Sequence, residues 1–136
     1  DGSLLTHNDS AETTELFEWK FDNSESEVAP LGTYYATGHA GISKQSSKSV
    51  YVTATTDCYE KCDEVEAEVN LQRLEGSTWA YVTSRDKIRK NVGSVTVSDT
   101  ITVKSGYYYR VVSFHSATKN GKTEVGSASS HSLYIG

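Results

Sequence analysis

Three glutamates alternate along one segment at a spacing that could support acid–base chemistry. Glu64, Glu66 and Glu68 occupy every second position, and alternate residues of a β-strand lie about 7 Å apart on the same face. Two carboxylates at such a separation serve as acid and base in glycoside hydrolysis. The same row is also typical of the solvated face of a half-buried strand. We favour the solvated face, and no Asp/Asn/Gly loop accompanies the row to indicate calcium.

The two cysteines, Cys58 and Cys62, are separated by three residues. Structural zinc needs four ligands, and the sequence has no second cysteine pair. A redox motif has two intervening residues instead of three. The spacing favours a local disulfide worth about 2 kcal/mol, which would indicate an oxidising compartment and therefore an exported protein. We predict no metal site.

Other catalytic patterns are missing from the sequence. It has no Gly-x-Ser-x-Gly elbow, no phosphate-binding loop and no dinucleotide fingerprint. None of the histidines has the spacing of a helix-borne metal pair, and we interpret them as structural; they are His7, His39, His115 and His131. We therefore predict a protein that is not an enzyme and that needs no cofactor.

Aromatic residues give the stronger functional signal, in the segment 107–115. Its side chains alternate between two faces, one of which holds Tyr107, Tyr109, Val111 and Ser113. The residues of the opposite face are of types enriched in binding hot spots: Tyr108, Arg110, Val112 and Phe114. Tyr51, Trp79 and Tyr81 would extend this face if their strands are its neighbours. Alternatively, the aromatic residues of the segment 16–21 cover it.

The charge distribution divides the chain in two. Residues 1–30 carry eight acids and one base, and residues 31–136 carry ten acids and twelve bases. We predict an acidic, partly flexible arm over 1–30 and one domain over 31–136. The only dense basic cluster lies in the segment 85–90, which is typical of a solvated loop or of a site for the acidic arm. Nucleic-acid binding is not expected without a basic face, and no apolar run is long enough to cross a membrane.

Hydrophobic alternation predicts an all-β domain. Strands are expected over residues 48–56, 64–73, 78–84, 94–103, 107–117 and 124–135. Asn120-Gly121 is the strongest hairpin signal, because both residues tolerate positive φ, and Gly126 is a candidate bulge. The arm segment 10–21 is compatible with either a helix or a strand. Six or seven short strands favour a β-sandwich or barrel.

Two segments resemble known modules. Gly106-Tyr107-Tyr108-Tyr109-Arg110-Val111 resembles strand F of fibronectin type III domains, and residues 71–79 resemble the C–C′ hairpin of such modules in bacterial surface proteins. The resemblance implies an immunoglobulin-like or fibronectin type III-like antiparallel β-sandwich, with Tyr107, Tyr109, Val111 and Ser113 facing its core and the opposite side chains of the strand on an outer face. It supports the architecture and not an activity.

The body of the chain also resembles a family of small exported domains from Gram-positive bacteria that has no assigned activity. The resemblance runs from Gly41 to Ile135. Its marks are Gly41-Ile42-Ser43, the Cys58/Cys62 pair, the Trp79 hairpin, and residues 106–111 followed by His115-Ser116-Ala117. Related surface modules of gut bacteria bind host immunoglobulins, which implies a host immunoglobulin as the partner.

These observations predict a secreted or cell-surface module that binds another protein through a sheet face or an edge strand. The predicted contacts are Tyr108, Arg110, Val112, Phe114, Tyr51, Tyr81 and Trp79. The alternatives are a carbohydrate-binding module that stacks sugars on Trp79 and Tyr81, and a structural surface domain. No nucleic acid and no membrane insertion are expected.

Overall fold

The computed structural model describes residues 34–136 and the backbone of residues 16–21; the predictions made for positions 1–15 and 22–33 lie outside the described residues. Every regular element in the described part is a β-strand. The strands are β1 (Leu16–Phe21), β2 (Tyr35–Ser46), β3 (Ser49–Glu75), β4 (Thr78–Thr102), β5 (Tyr107–Lys119), β6 (Lys122–Ser129) and β7 (Leu133–Ile135). No helix that could span a membrane occurs among these residues.

The longest elements of the sheet are β3 and β4, which form a long hairpin. The two strands pair antiparallel from Ser49↔Thr102 to Glu75↔Thr78, with an irregularity between Asp57 and Cys62. On its other side, the first half of β3 pairs with β2 and the second half pairs with β5. The irregularity divides the hairpin into two halves, which we call the first half (residues 49–57 and 94–102) and the second half (residues 64–75 and 78–90).

The hairpin folds back on itself at this irregularity. Arg85 and Asp99 both belong to β4, yet the Arg85 Nε lies 2.7 Å from an Asp99 carboxylate oxygen. A straight strand would separate residues this far apart in sequence by roughly 45 Å. The two halves therefore face each other across the core, and the Thr56 hydroxyl donates a hydrogen bond to the Glu66 carbonyl oxygen at 2.8 Å between them.

The remaining strands extend the sheet. β5 pairs with β6 from Val112↔Ser129 to Lys119↔Lys122, and β7 pairs with the start of β5. Asn120 and Gly121 have φ of 54° and 77° in the β5–β6 turn, which confirms the hairpin predicted there. β1 pairs antiparallel with β6, so the segment Leu16–Phe21 is a strand. Its backbone extends the sheet beside β6 instead of crossing the outer surface of β5.

The core lies on the concave side of the curled sheet. Alternate residues of both halves of β3 face it and are buried, including Val50, Val52, Val65 and Val69. Tyr109 and Val111 of β5 join them, as expected from the resemblance of this strand to strand F of fibronectin type III domains. Burying this row of side chains removes apolar surface from water and stabilises the curl.

The predicted all-β class is confirmed, whereas the two-sheet sandwich of immunoglobulin or fibronectin type III type is not. All seven described strands belong to one antiparallel sheet, which curls strongly into a half-barrel. The segments predicted as separate strands over 48–56 and 64–73 are two halves of β3, and those over 78–84 and 94–103 belong to β4. Gly126 is not a bulge, because the register of β6 against β5 is continuous there.

The two cysteines lie at the bend of the hairpin. Cys58 is half-buried and Cys62 is buried, and both are free thiols. Their sulfurs are not at bonding distance, so the predicted disulfide is not formed in this structure. Burial, with the nearby Cys62 as the next cause, raises the pKa of the Cys58 thiol to about 12.

Candidate functional site

A one-residue bulge decides which side chains oppose the glutamate row. From Glu75↔Thr78 to Gln72↔Tyr81 the hairpin pairs without interruption, and the next pair is Leu71↔Thr83, so Val82 is the extra residue. This shift places Asp86 opposite Glu68 and Ile88 opposite Glu66. Paired residues of antiparallel strands share a face, so Asp86 and Ile88 lie on the convex, outer side of the sheet with the glutamates.

Three carboxylates come together at this point. Oxygens of Glu66, Glu68 and Asp86 lie within 4.8 Å of one another. A hydrogen bond with Asp86 raises the pKa of Glu66 to about 7, with partial burial and the charges of neighbouring acids adding to the shift. Two carboxyl groups this close share one proton, because both cannot ionise cheaply.

No cation in the described part of the chain lies within ion-pair distance of these three carboxylates. The polar contact that Glu68 does make is a hydrogen bond accepted from the Asn70 amide at 3.1 Å. Carboxylate oxygens are ligands for Ca²⁺ and Mg²⁺, but three exposed or half-exposed acids do not by themselves define a metal centre.

Two large apolar side chains flank the carboxylates. Phe114 of β5, opposite Glu68, is 46% exposed, and Ile88 of β4, opposite Glu66, is 42% exposed. A cleft of about 220 Å³ opens beside them, with Glu66 and Glu68 on one side and Phe114 and Val125 on the other. We call this surface the outer patch; it consists of Glu66, Glu68, Asp86, Ile88, Phe114 and Val125.

An aromatic cluster lies on the same face, toward the other end of β5. The Arg110 guanidinium stands 4.4 Å from the centre of the Trp79 ring and its Nε donates to the Gln72 side-chain oxygen at 2.7 Å. Burial lowers the pKa of Arg110, which nevertheless stays charged near neutral pH. Tyr108 and Tyr134 meet with their ring centres 4.9 Å apart.

The structure brings together most of the residues predicted for binding. Phe114 belongs to the outer patch, Arg110, Trp79 and Tyr108 belong to the aromatic cluster, and Val112 lies between the two, opposite Asn70. Tyr81 opposes Gln72 on this face and is 65% exposed.

Tyr51 is the predicted binding residue that lies elsewhere. It belongs to the first half of β3, where it pairs with Ser43 of β2 and Thr100 of β4. It is exposed there, but the part of β3 that pairs with β5 is the second half and not the first. Tyr51 therefore does not extend the face of Phe114.

Sequence reasoning missed Asp86, Ile88, Val125 and Tyr134. Tyr134 ends up beside Tyr108 because β7 pairs with β5, and the predicted strand 124–135 did not separate β7 from β6. Counting residues outward from the Glu75-Gly76-Ser77 turn gives the pairs between β3 and β4. This count would have placed Asp86 and Ile88 opposite the glutamates only if the bulge at Val82 had been known. Nothing in the sequence marks Val82 as the extra residue.

The buried histidine is held between two hydroxyl groups of the core. His115 Nδ1 lies 2.7 Å from the Thr56 hydroxyl oxygen, and its Nε2 lies 2.6 Å from the Ser113 hydroxyl oxygen. This Ser–His contact has the geometry of a nucleophile and a base, but Ser113 is fully buried. Burial also lowers the pKa of His115 to about 4. The pair satisfies polar groups within the core.

Fold and surface together define an all-β domain with a curled antiparallel sheet and an acidic, apolar and aromatic outer face. The chain belongs to DUF6147, a family of unknown function, which it matches over residues 7–132. None of the curated proteins matches it.

Proposed function

We infer that the chain is a protein-binding module and that the outer patch and the aromatic cluster form its binding surface. The observation that supports this proposal most directly is a pair of exposed apolar side chains, Phe114 and Ile88, on either side of three carboxylates. Among the described residues, no cation pairs with these carboxylates. A surface of this composition suits a partner that presents a Lys or Arg among apolar residues. The stem of such a side chain packs on Phe114 while its charge meets the acids.

The residue types support protein recognition over catalysis. Trp, Tyr and Arg are the types that dominate binding energy at interfaces. Arg110 lies over the Trp79 ring, and Tyr108 precedes Arg110 by two residues on the same strand. Arg110 is held in place by Gln72 and by the Trp79 ring, so little side-chain entropy is lost when a partner binds.

A host immunoglobulin is the partner that the resemblance of the sequence implies, and export to the cell surface or the medium is the location that such a partner requires. Both are part of the proposal. The proposal is tested by measuring the affinity of the purified chain for intact immunoglobulin and for its Fab and Fc fragments by biolayer interferometry.

Phe114→Ala and Glu68→Gln are the test variants, and Tyr59→Ala is the matched control. Tyr59 is 68% exposed at the bend of the hairpin, away from the outer patch. We expect the two test variants to weaken binding at least tenfold and the control to leave it unchanged. Unchanged affinity in Phe114→Ala would remove the outer patch from the proposal.

If immunoglobulin does not bind, that partner is wrong. Capture from serum then tests the surface itself, because a genuine partner is retained by the wild type and by Tyr59→Ala but lost by Phe114→Ala. Absence of any such protein refutes the protein-binding function.

Glycan binding is the second candidate, favoured by the exposure of Tyr81 next to Trp79 on the same face. Aromatic rings stack on sugars, but Arg110 already covers one face of Trp79. A glycan array separates the two functions. Retention that is lost in Tyr81→Ala and kept in Phe114→Ala would favour sugar over protein.

A further inference from the structure

Strand β4 has a long edge without a neighbouring strand. Within the described part of the chain, β4 pairs only with β3. Every second residue of an antiparallel strand directs its N–H and C=O toward one neighbour, so the other half of these groups on β4 faces away from the sheet. An edge of this kind accepts an added strand.

The hydrogen-bond pattern between β3 and β4 shows which backbone groups of residues 94–102 point away from β3. Val103 N–H donates to the Lys48 carbonyl oxygen at 2.8 Å, and this pair continues the register Ser49↔Thr102. Because these directions alternate along a strand, the N–H and C=O groups of the odd-numbered residues point toward β3, and those of the even-numbered residues point away from it. The Thr100 N–H agrees, since it donates to the Asp99 side chain at 2.8 Å. The outward residues are Ser94, Thr96, Ser98, Thr100 and Thr102.

The two halves of this edge differ in how they are protected against pairing with another strand. The second half carries Arg85, Lys87, Arg89 and Lys90, and Asn91 after them departs from extended backbone geometry, with φ of 58°. The segment 94–102 alternates Val or Ile with Ser or Thr and has one charge, Asp99. Charge, proline and bulges are the usual devices that prevent edge-to-edge pairing, and this segment lacks proline and a bulge.

The segment 94–102 is also complementary to itself. An antiparallel two-fold axis at Ser98 places Val95 opposite Ile101 of the second copy and Thr96 opposite Thr100. Apolar and Thr–Thr pairs of this kind are favourable across strands. Asp99 meets Val97 of the second copy and not another Asp99, and the basic second half lies beyond the overlap.

We propose that two copies of this chain associate by antiparallel pairing of the β4 edges over residues 94–102, with the two-fold axis at Ser98. The contact is isologous, as in most homodimers, and it continues the sheet of one copy into the other. Its hydrogen bonds come from the outward N–H and C=O groups of the even-numbered residues, except the Thr100 N–H, which already donates to the Asp99 side chain.

Sedimentation velocity of the full chain over a range of concentrations, with Ser98→Lys, Ser98→Glu and an equimolar mixture of the two, tests the pairing. We expect a concentration-dependent dimer for the wild type. Each single variant weakens it at least tenfold, because like charges meet at the axis. The mixture recovers association, because opposite charges then meet there.

Thr53→Lys is the matched control. Thr53 lies opposite Ser98 on β3, one strand in from the edge, so the variant adds the same charge to the same face. It is expected to dimerise like the wild type. A wild type that stays monomeric up to about 1 mM, a dimer that Ser98→Lys does not weaken, or a mixture that does not recover association overturns the proposal.

Discussion

Glu66 places the charge of the outer patch under the control of pH. Its folded pKa of about 7 lies above the ordinary value of 4.5 because it shares a hydrogen bond with Asp86. The folded state therefore holds a proton that the unfolded state releases at lower pH. The contribution to stability is complete below about pH 4.5 and is lost as pH rises through 7.

Glu66→Gln is expected to remove this loss of stability at high pH. At pH 8 the variant should exceed the wild type in free energy of unfolding by about 0.5–1 kcal/mol, the scale of a relieved contact between like charges at a solvated surface. Urea unfolding at pH 5 and pH 8 measures it. Glu64→Gln is the control, since Glu64 opposes Lys90, and it should not gain stability. An equal gain in both variants would contradict the role of the shared proton.

His115 has the opposite effect on stability. Burial lowers its folded pKa to about 4, against 6.5 for a free imidazole. In the unfolded state the imidazole takes up a proton below pH 6.5, whereas in the folded state it does so only below about pH 4. Its contribution to stability is complete above 6.5 and falls by up to about 3 kcal/mol as pH drops to 4.

The two groups oppose each other between pH 4.5 and 6.5, and because His115 contributes more, the wild type should still gain stability over this range, but less than Glu66→Gln. Glu66→Gln uncovers the slope of His115, and its stability should rise steadily from pH 4 to 6.5. Nuclear magnetic resonance of the imidazole tests the cause directly. A ring that titrates near pH 6.5 would show that His115 is not excluded from water.

At the scale of elements, Gly126 allows β2 to pack against β6. A Cβ at this position would lie 2.5 Å from the Tyr35 ring, which is buried. We expect Gly126→Ala to lower the free energy of unfolding by about 1–3 kcal/mol through overpacking, as measured in urea. Gly93→Ala is the control, because a Cβ there meets nothing closer than 3.7 Å. Equal losses in both would point to strand propensity instead of the contact with Tyr35.

Alternation predicted the strands wherever one face is buried and the other is wet. Val65, Ala67, Val69 and Leu71 are buried and the glutamates between them face outward, as their period of two requires. Asn120-Gly121 specified its turn because φ is positive at both residues. These signals are local, and local patterns are the part of a fold that a sequence displays most directly.

The candidate site was less predictable, because it depends on the register between strands. Without the extra residue Val82, the glutamates at 64, 66 and 68 would oppose Arg89, Lys87 and Arg85. The outer face would then hold three ion pairs. With it, the bases turn to the concave side and Glu68 meets Asp86. A one-residue shift reverses the faces of a strand, and no residue type signals it here.

At the scale of the whole molecule, contacts between distant segments determine the curl. The Arg85–Asp99 ion pair and the Thr56–Glu66 hydrogen bond join halves of the same hairpin. Nothing in the alternation predicts which halves of β3 and β4 will face each other. For this reason Tyr51, on the first half, was grouped with residues of the second.

The bend of the hairpin supplies the last prediction, which concerns the two thiols. Oxidised glutathione would convert Cys58 and Cys62 into a disulfide with release of two reduced glutathione molecules. The bond would restrict the unfolded chain at the point where the sheet folds back. We expect the oxidised protein to gain up to about 2 kcal/mol in free energy of unfolding, as measured by urea unfolding with and without reductant. Cys58→Ser, which cannot form the bond, should show no difference.

An oxidised protein that is less stable than the reduced one would show that the bend cannot bring the sulfurs to bonding distance without distortion. That result would remove the disulfide as support for export.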